Sequence, residues 1–174
     1  MRTVTGLCVP YDEEALIGMA DGTSYIEVMR RGVFARSIAD GARVPLMSWH
    51  DGTQFPLGVS ARFDDTSDGL VGEFRLTEGS HHARSAWAHI VDGSLGGLSV
   101  GSRPRDTIWK LDEQGRPTRA ERIDAQLFEV SVCTVPAYER ARITEHVDTG
   151  DSTPNLDAAL LWLASIKTPR PAYA

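Results

Sequence analysis

Ser99 stands in Gly96-Gly97-Leu98-Ser99-Val100-Gly101, and Gly97 to Gly101 spell G-x-S-x-G, the pattern of a serine nucleophile. A serine hydroxyl attacks poorly at neutral pH. It needs a base within hydrogen-bond reach, and the base needs a third group that fixes its tautomer and stabilises its protonated form. His50, in Trp49-His50-Asp51-Gly52, and Glu129, in Phe128-Glu129-Val130-Ser131-Val132, are residues of the required types. Their order is histidine, serine, acid, with separations long enough for different strands to bring them together.

Each residue also has a plainer reading. The glycines remove side chains on both sides of Ser99, which lets a substrate backbone approach and permits unusual φ values. Taken alone, the motif is better explained as a glycine-rich start of a strand with an exposed serine. The α/β-hydrolase elbow fits in letters only. In that fold the serine turns directly into a helix and the histidine comes last. Here Ser102-Arg103-Pro104-Arg105-Asp106 is a poor helix start, and only His146 follows Ser99. His50 could simply cap a turn, or Val44 to Trp49 could hold it at the end of a rigid strand. Glu129 lies among apolar neighbours, where a buried carboxylate costs several kcal/mol (order of magnitude) unless paired. Arg122 would be a structural partner for it, and an imidazole a catalytic one.

Other candidate groups point elsewhere. His81, His82 and His89 have no neighbouring cysteine and no H-E-x-x-H spacing, so solvent-facing positions are expected rather than a zinc site. The run Asp64-Asp65-Thr66-Ser67-Asp68 lacks the later glutamate of a calcium loop and reads as a turn. No cofactor or metal is expected. Cys8 and Cys133 sit in apolar, strand-like stretches and read as buried free thiols suited to a reducing compartment. The formal charge of −6 excludes nucleic-acid binding through a broad basic surface. Arg103, Arg105, Arg116, Arg119 and Arg122 are expected on a solvated strand-and-turn region. The first residues carry no signal-type apolar stretch, and no segment approaches the roughly 20 apolar residues of a membrane helix. A cytosolic protein is expected.

The 174 residues suit one domain with a real core. Strands are expected over Thr3 to Pro10, Tyr25 to Met29, Val44 to Trp49, Phe55 to Phe63, Leu70 to Leu76, Leu95 to Gly101 and Gln126 to Val135. Leu70, Gly72, Phe74 and Leu76 share one face. Thr107 to Leu111 and Arg119 to Ile123 read as an antiparallel pair. Helical spacing marks Arg31 to Ile38 and Ser80 to Val91, the latter with Ser80 as N-cap and Gly93 as its stop. His146 to Pro154 reads as a polar linker, Asn155 to Lys167 as a helix and Thr168 to Ala174 as a frayed tail. The sum is a strand-rich α+β domain with about two or three helices.

Across roughly residues 3 to 147 the chain resembles the prohead (capsid maturation) proteases of tailed phages. Gly6 to Tyr11 is similar to their opening strand. Glu27 to Ile38, with Gly32-Val33-Phe34 and Ser37-Ile38, is similar to their "pGaF…sl" segment. Leu46 to Asp51 resembles "l.xHd", Pro56-Leu57-Gly58 resembles "piG", and Asp68-Gly69-Leu70 a strand-opening turn. Gly97 to Gly101 is similar to "GlSiG". Leu127 to Val132 with Val135-Pro136-Ala137 resembles "l.EvSlV..Pa". The resemblance implies a mainly antiparallel β-barrel with a few surrounding helices, like the herpesvirus assembly proteases, over a domain of residues 1–147. Residues 148–174 would then be linker and C-terminal helix or tail.

It also implies a serine endopeptidase that removes scaffold segments of capsid proteins, and its own ends, inside the assembling prohead in the bacterial cytoplasm. Ser99 would be the nucleophile, His50 the general base and Glu129 the third member. Asp51 competes for that last role, but neighbouring side chains on a strand point to opposite faces. Oxyanion donors are expected from backbone N–H groups, with the loop after Pro136, carrying Arg140 and Arg142, as the place to look. The implied partners are the major capsid protein and its scaffold region, with a homo-oligomer also in view and neither nucleic acid nor membrane. Two rivals stay open: a non-catalytic capsid-assembly or scaffold protein of the same fold, and a small β-rich binding module.

Overall fold

The computed structural model describes residues 1–150 apart from Ala20 and Ala42. The helix expected over Asn155 to Lys167 and the tail from Thr168 to Ala174 lie outside the described residues. In chain order the elements are β1 (Arg2–Pro10), β2 (Glu14–Gly18), β3 (Ser24–Met29), α1 (Ala35–Ala39), β4 (Pro45–Ser48), β5 (Gly58–Asp65) and β6 (Gly69–Leu76). Then follow α2 (His81–Val91), β7 (Gly97–Leu111), β8 (Pro117–Cys133) and β9 (Arg142–Asp148). The strands make one nine-stranded sheet in the order β2-β3-β8-β4-β5-β6-β1-β9-β7, and β7 also returns to pair with β8. Pairing is antiparallel except where β8 runs parallel to β3 and to β4. This is the strand-rich α+β class that the pattern predicts.

Local sequence accounts for the main elements. On β6, Leu70, Gly72, Phe74 and Leu76 are buried and the residues between them are more open, which is the two-residue period of a half-buried strand. The α2 helix starts at Ser80, whose Oγ accepts the Ala83 N–H at 3.3 Å, and buries Ala83, Ala86 and Ile90. It stops where Gly93 takes a φ of 80°, a conformation glycine reaches without steric cost. Phe34, Leu46, Leu70, Phe74, Leu98, Val130 and Val132 are among the fully buried side chains of the core.

Several expectations need correction. The pieces expected separately at Arg119 to Ile123 and Gln126 to Val135 belong to one strand, β8, and those at Leu95 to Gly101 and Thr107 to Leu111 to one strand, β7. It carries Pro104 through register shifts between Gly101 and Ser102 and between Pro104 and Asp106, and bulges are where a sheet tolerates proline. β2 and β9 carry no strand pattern in the sequence. β9 pairs with β1 from Arg2↔Asp148 to Leu7↔Arg142, so the stretch read as a polar linker from His146 begins inside a strand. Most of its side chains are exposed, leaving no apolar alternation to read. Arg122 is not solvated. Its Nε donates to buried Glu27 at 2.8 Å and its Nη2 to the Tyr25 hydroxyl at 2.7 Å.

Candidate active site

β8 brings the expected residues to one place. Its alternation sends Val130 and Val132 into the core and turns Glu129, Ser131 and Cys133 to the opposite face. The register across to β7 sets Gly97 opposite Cys133, Ser99 opposite Ser131, and Gly101 opposite Glu129. Leu98 is buried in the core and Val100 packs against it, so Ser99 shares the outer face with Glu129 and Ser131. On the other side of β8, the parallel strand β4 pairs Met47 with Ser131 and Ser48 with Val132.

His50 arrives by a turn rather than on the strand itself. Trp49 and His50 are consecutive left-handed residues, with φ of 49° and 56°. Non-glycine residues rarely adopt this conformation, and holding one there costs of order 1–3 kcal/mol. Two hydrogen bonds to β8 pin the turn. The Trp49 N–H donates to the Val132 carbonyl at 3.2 Å, and the His50 N–H donates to Ser131 Oγ at 2.9 Å.

The side chains then form a linked chain. His50 Nε2 lies 2.9 Å from Ser99 Oγ, and His50 Nδ1 lies 2.5 Å from Glu129 Oε1. A carboxylate can only accept at Nδ1, so that nitrogen carries the hydrogen and Nε2 presents a lone pair to the Ser99 hydroxyl. The Ser131 hydroxyl donates to Glu129 Oε2 at 2.7 Å. Glu129 is largely shielded, with 17% of its side chain exposed, while the His50 side chain is 45% exposed. The hydrogen bond and the charge of Glu129 raise the His50 pKa above its ordinary value, against the opposing effect of burial. A serine whose proton can pass to an imidazole, itself backed by a carboxylate, is equipped for acyl transfer.

The competing assignments do not form. Asp51 accepts hydrogen bonds from Thr53 within its own turn, at 2.9 Å from N and 2.6 Å from Oγ1. Arg122 pairs with Glu27 instead of Glu129. In the loop after Pro136, the place expected for backbone oxyanion donors, the Arg140 guanidinium is engaged by Glu13 and Asp68 and the Arg142 guanidinium donates to the Glu139 carbonyl at 2.7 Å, contacts that bear on the side chains and not on the backbone N–H groups. Cys8 is buried, which pushes its thiol up to about 12, and Cys133 is a buried free thiol as well. Among the described residues no group of three or more His, Cys, Asp or Glu side chains is arranged to hold a metal ion. No helix among them is long and apolar enough to cross a membrane.

The motif glycines do not take the unusual φ values the pattern permits. Neither Gly97 nor Gly101 has a positive φ. The space beside Gly101 holds the Glu129 carboxyl group, and the space beside Gly97 holds the Cys133 carbonyl and the Pro136 ring. Ser131 is the residue sequence reasoning missed. A small hydroxyl residue two positions after a carboxylate in an apolar strand shares its face, and that spacing was the available signal.

Residues 2–155 match the sequence profile of a family described as the caudovirus prohead serine protease. The chain belongs to this family. The match spans every element from β1 to β9, so all of the strands that build the Ser99–His50–Glu129 chain lie inside it. Membership makes a serine peptidase the family-level activity and phage capsid maturation its setting. No curated protein matches the chain.

Proposed function

We propose that the protein is a serine endopeptidase that cuts the scaffold segments of capsid proteins during prohead maturation, and its own ends, with Ser99, His50 and Glu129 as its catalytic residues. The observation that carries this reading is the unbroken line Ser99 Oγ–His50–Glu129, with contacts of 2.9 and 2.5 Å. Ser99 Oγ attacks the carbonyl carbon of the scissile peptide while its proton passes to His50 Nε2. Glu129 keeps the imidazole oriented and stabilises its charged form. The C–N bond then breaks, and the proton goes from Nε2 to the leaving amine. Water next gives its proton to His50 and attacks the acyl-enzyme, and Ser99 recovers its hydrogen as the acid product leaves. The tetrahedral oxygen calls for preorganised N–H donors.

The circuit of pairings β8-β4-β5-β6-β1-β9-β7, with β7 returning to β8, supports reading the sheet as a β-barrel; the herpesvirus-protease kind is what the family resemblance suggests. The β9–β7 link in it is short, a single register pair Gly97↔Arg142 backed by two backbone hydrogen bonds of 2.9 and 2.8 Å. The substrates would be the major capsid protein and its scaffold region, met inside the prohead in the bacterial cytoplasm. The test is covalent labelling with a fluorophosphonate, on the protein alone and with co-expressed capsid protein. Labelling is expected at Ser99 and is lost in His50→Ala, and Ser99→Ala leaves the capsid precursor uncut. Normal precursor processing by Ser99→Ala would overturn the assignment. A folded protein that stays unlabelled even with its capsid partner would point to a non-catalytic assembly component.

A further inference from the structure

A cleft of about 370 Å³ opens directly beside the catalytic turn. One wall is the chain from Ser48 to Leu57, the stretch that contains His50. The other is the face of α2 that presents His82, Ser85, Ala86 and His89, and Leu95 closes it just ahead of β7. Both walls therefore lead straight into strands or turns that carry the site. A second depression, about 510 Å³, shares Phe55 and His82 with the first and continues along Pro45, Pro56 and Val59. The two depressions adjoin at Phe55 and His82, and we read them as one elongated groove.

Its chemistry is mixed in a particular way. The floor is apolar, with Leu57, Ala86 and Leu95 exposed by only 4%, 8% and 4%. At the mouth, Trp49 is 57% and Phe55 81% exposed. Two large aromatics left open to water beside an apolar floor form a surface that recognises something apolar. Around them stand groups able to bond a peptide backbone: Gln54, Ser85, His82 and His89. Apolar depressions in a line, edged by donors and acceptors, suit an extended polypeptide with side chains directed into the floor.

We propose that this groove seats the substrate polypeptide to one side of the scissile bond and takes a large apolar side chain, of the leucine, methionine or phenylalanine class, between Trp49 and Ala86. The proposal rests on the catalytic reading above and adds its specificity. Trp49 then has two roles: its left-handed backbone aims His50 at Ser99, and its ring walls the groove. This gives a reason for the unusual conformation to fall on a tryptophan.

The experiment profiles cleavage of a randomised peptide library by the full chain, with fluorophosphonate labelling of Ser99 run in parallel. The wild-type protein is expected to select Leu, Met or Phe over Ala at one position near the cut bond by roughly tenfold to a hundredfold, the range an apolar pocket can discriminate. Phe55→Ala removes a rim aromatic, and Ser85→Trp, at an exposed position on α2, fills the cleft. Both are expected to collapse that preference. A labelled enzyme with a flat profile, or a preference unchanged in both variants, overturns the groove assignment while leaving the catalytic one standing. A change in oligomeric state by light scattering, with selection intact, overturns it in favour of a second copy of the chain. Absence of labelling at Ser99 fails the catalytic reading first, and the groove assignment with it.

Discussion

A β-carbon added at Gly101 would lie 2.8 Å from Glu129 Cδ and closer still to Oε1. The three nearest atoms all belong to that one side chain, and the Gly101 backbone needs no glycine-only conformation. Gly101→Ala should therefore fold with nearly native stability yet push Glu129 off His50. The acylation rate is expected to fall about as far as in Glu129→Gln, read by fluorophosphonate labelling beside a urea unfolding curve. Full labelling of a well-folded Gly101→Ala protein would mean that Glu129 does not orient the base. Gly97 differs, because a β-carbon there would meet the Cys133 carbonyl oxygen at 2.8 Å, a backbone atom that cannot swing away. The pH dependence follows from the same contact. His50 must be neutral to accept the Ser99 proton, so labelling rises as pH climbs through its pKa. Glu129 holds that pKa above the ordinary value. Glu129→Gln removes the charge that raises it, leaves the opposing effect of burial, and so moves the midpoint to lower pH. The plateau is expected to drop by roughly 10⁴-fold, the scale of losing the acid of a triad, and by less than in His50→Ala. A midpoint that stays put or moves to higher pH would contradict the proposed coupling.

β8 is the element on which the site is organised, since it pairs with β3, β4 and β7. Its C-terminal part was legible because Gln126 to Val135 is a dense β-prone run, but its continuity with Arg119 to Ile123 in one strand, Pro117–Cys133, was not; β6 and α2 were legible because their apolar periods are clean. β2 and β9 were not, because strands with mostly exposed side chains leave only backbone pairing to define them, and pairing has no local code. The turn at Trp49 and His50 was hidden for another reason. Histidine tolerates positive φ better than most residues but a bulky tryptophan does not, and two such residues in a row are held by β8 through Val132 and Ser131. Ser131 tests that dependence. It is fully buried, accepts the His50 N–H and donates to Glu129, so Ser131→Ala leaves two polar groups short of a partner. A loss of about 1–3 kcal/mol is expected in urea unfolding. The labelling rate should fall as well, with Ser131→Cys recovering part of it, because the imidazole and carboxylate lose their common anchor. Reduced stability with wild-type labelling and an unchanged pH midpoint would make Ser131 structural only.

At the scale of the molecule, the site was legible as an ordered set of segments, and the contacts that hold the sheet together were not. Ser99, His50 and Glu129 each sit in a short recognisable stretch, whereas the Arg122 pair depends on a register that no local pattern reveals. Arg122 on β8 reaches Glu27 and Tyr25 on β3, donates to Thr107 Oγ1 on β7 at 3.2 Å, and stacks over the Trp109 ring at 4.9 Å. Its side chain is 8% exposed and that of Glu27 11%, so each charge depends on the other for solvation. Arg122→Ala strands a buried carboxylate and is expected to cost about 3–5 kcal/mol, a large share of the roughly 5–15 kcal/mol that holds a domain folded. Replacing both partners, Arg122→Met with Glu27→Leu, removes the stranded charge and should restore most of that loss. Urea unfolding of the two proteins separates packing from charge. If Arg122→Ala unfolds at the wild-type midpoint, the pair is solvated and does not fasten β3 to β8. If the double replacement is as unstable as the single one, the arginine acts through its stacking on Trp109 rather than through Glu27.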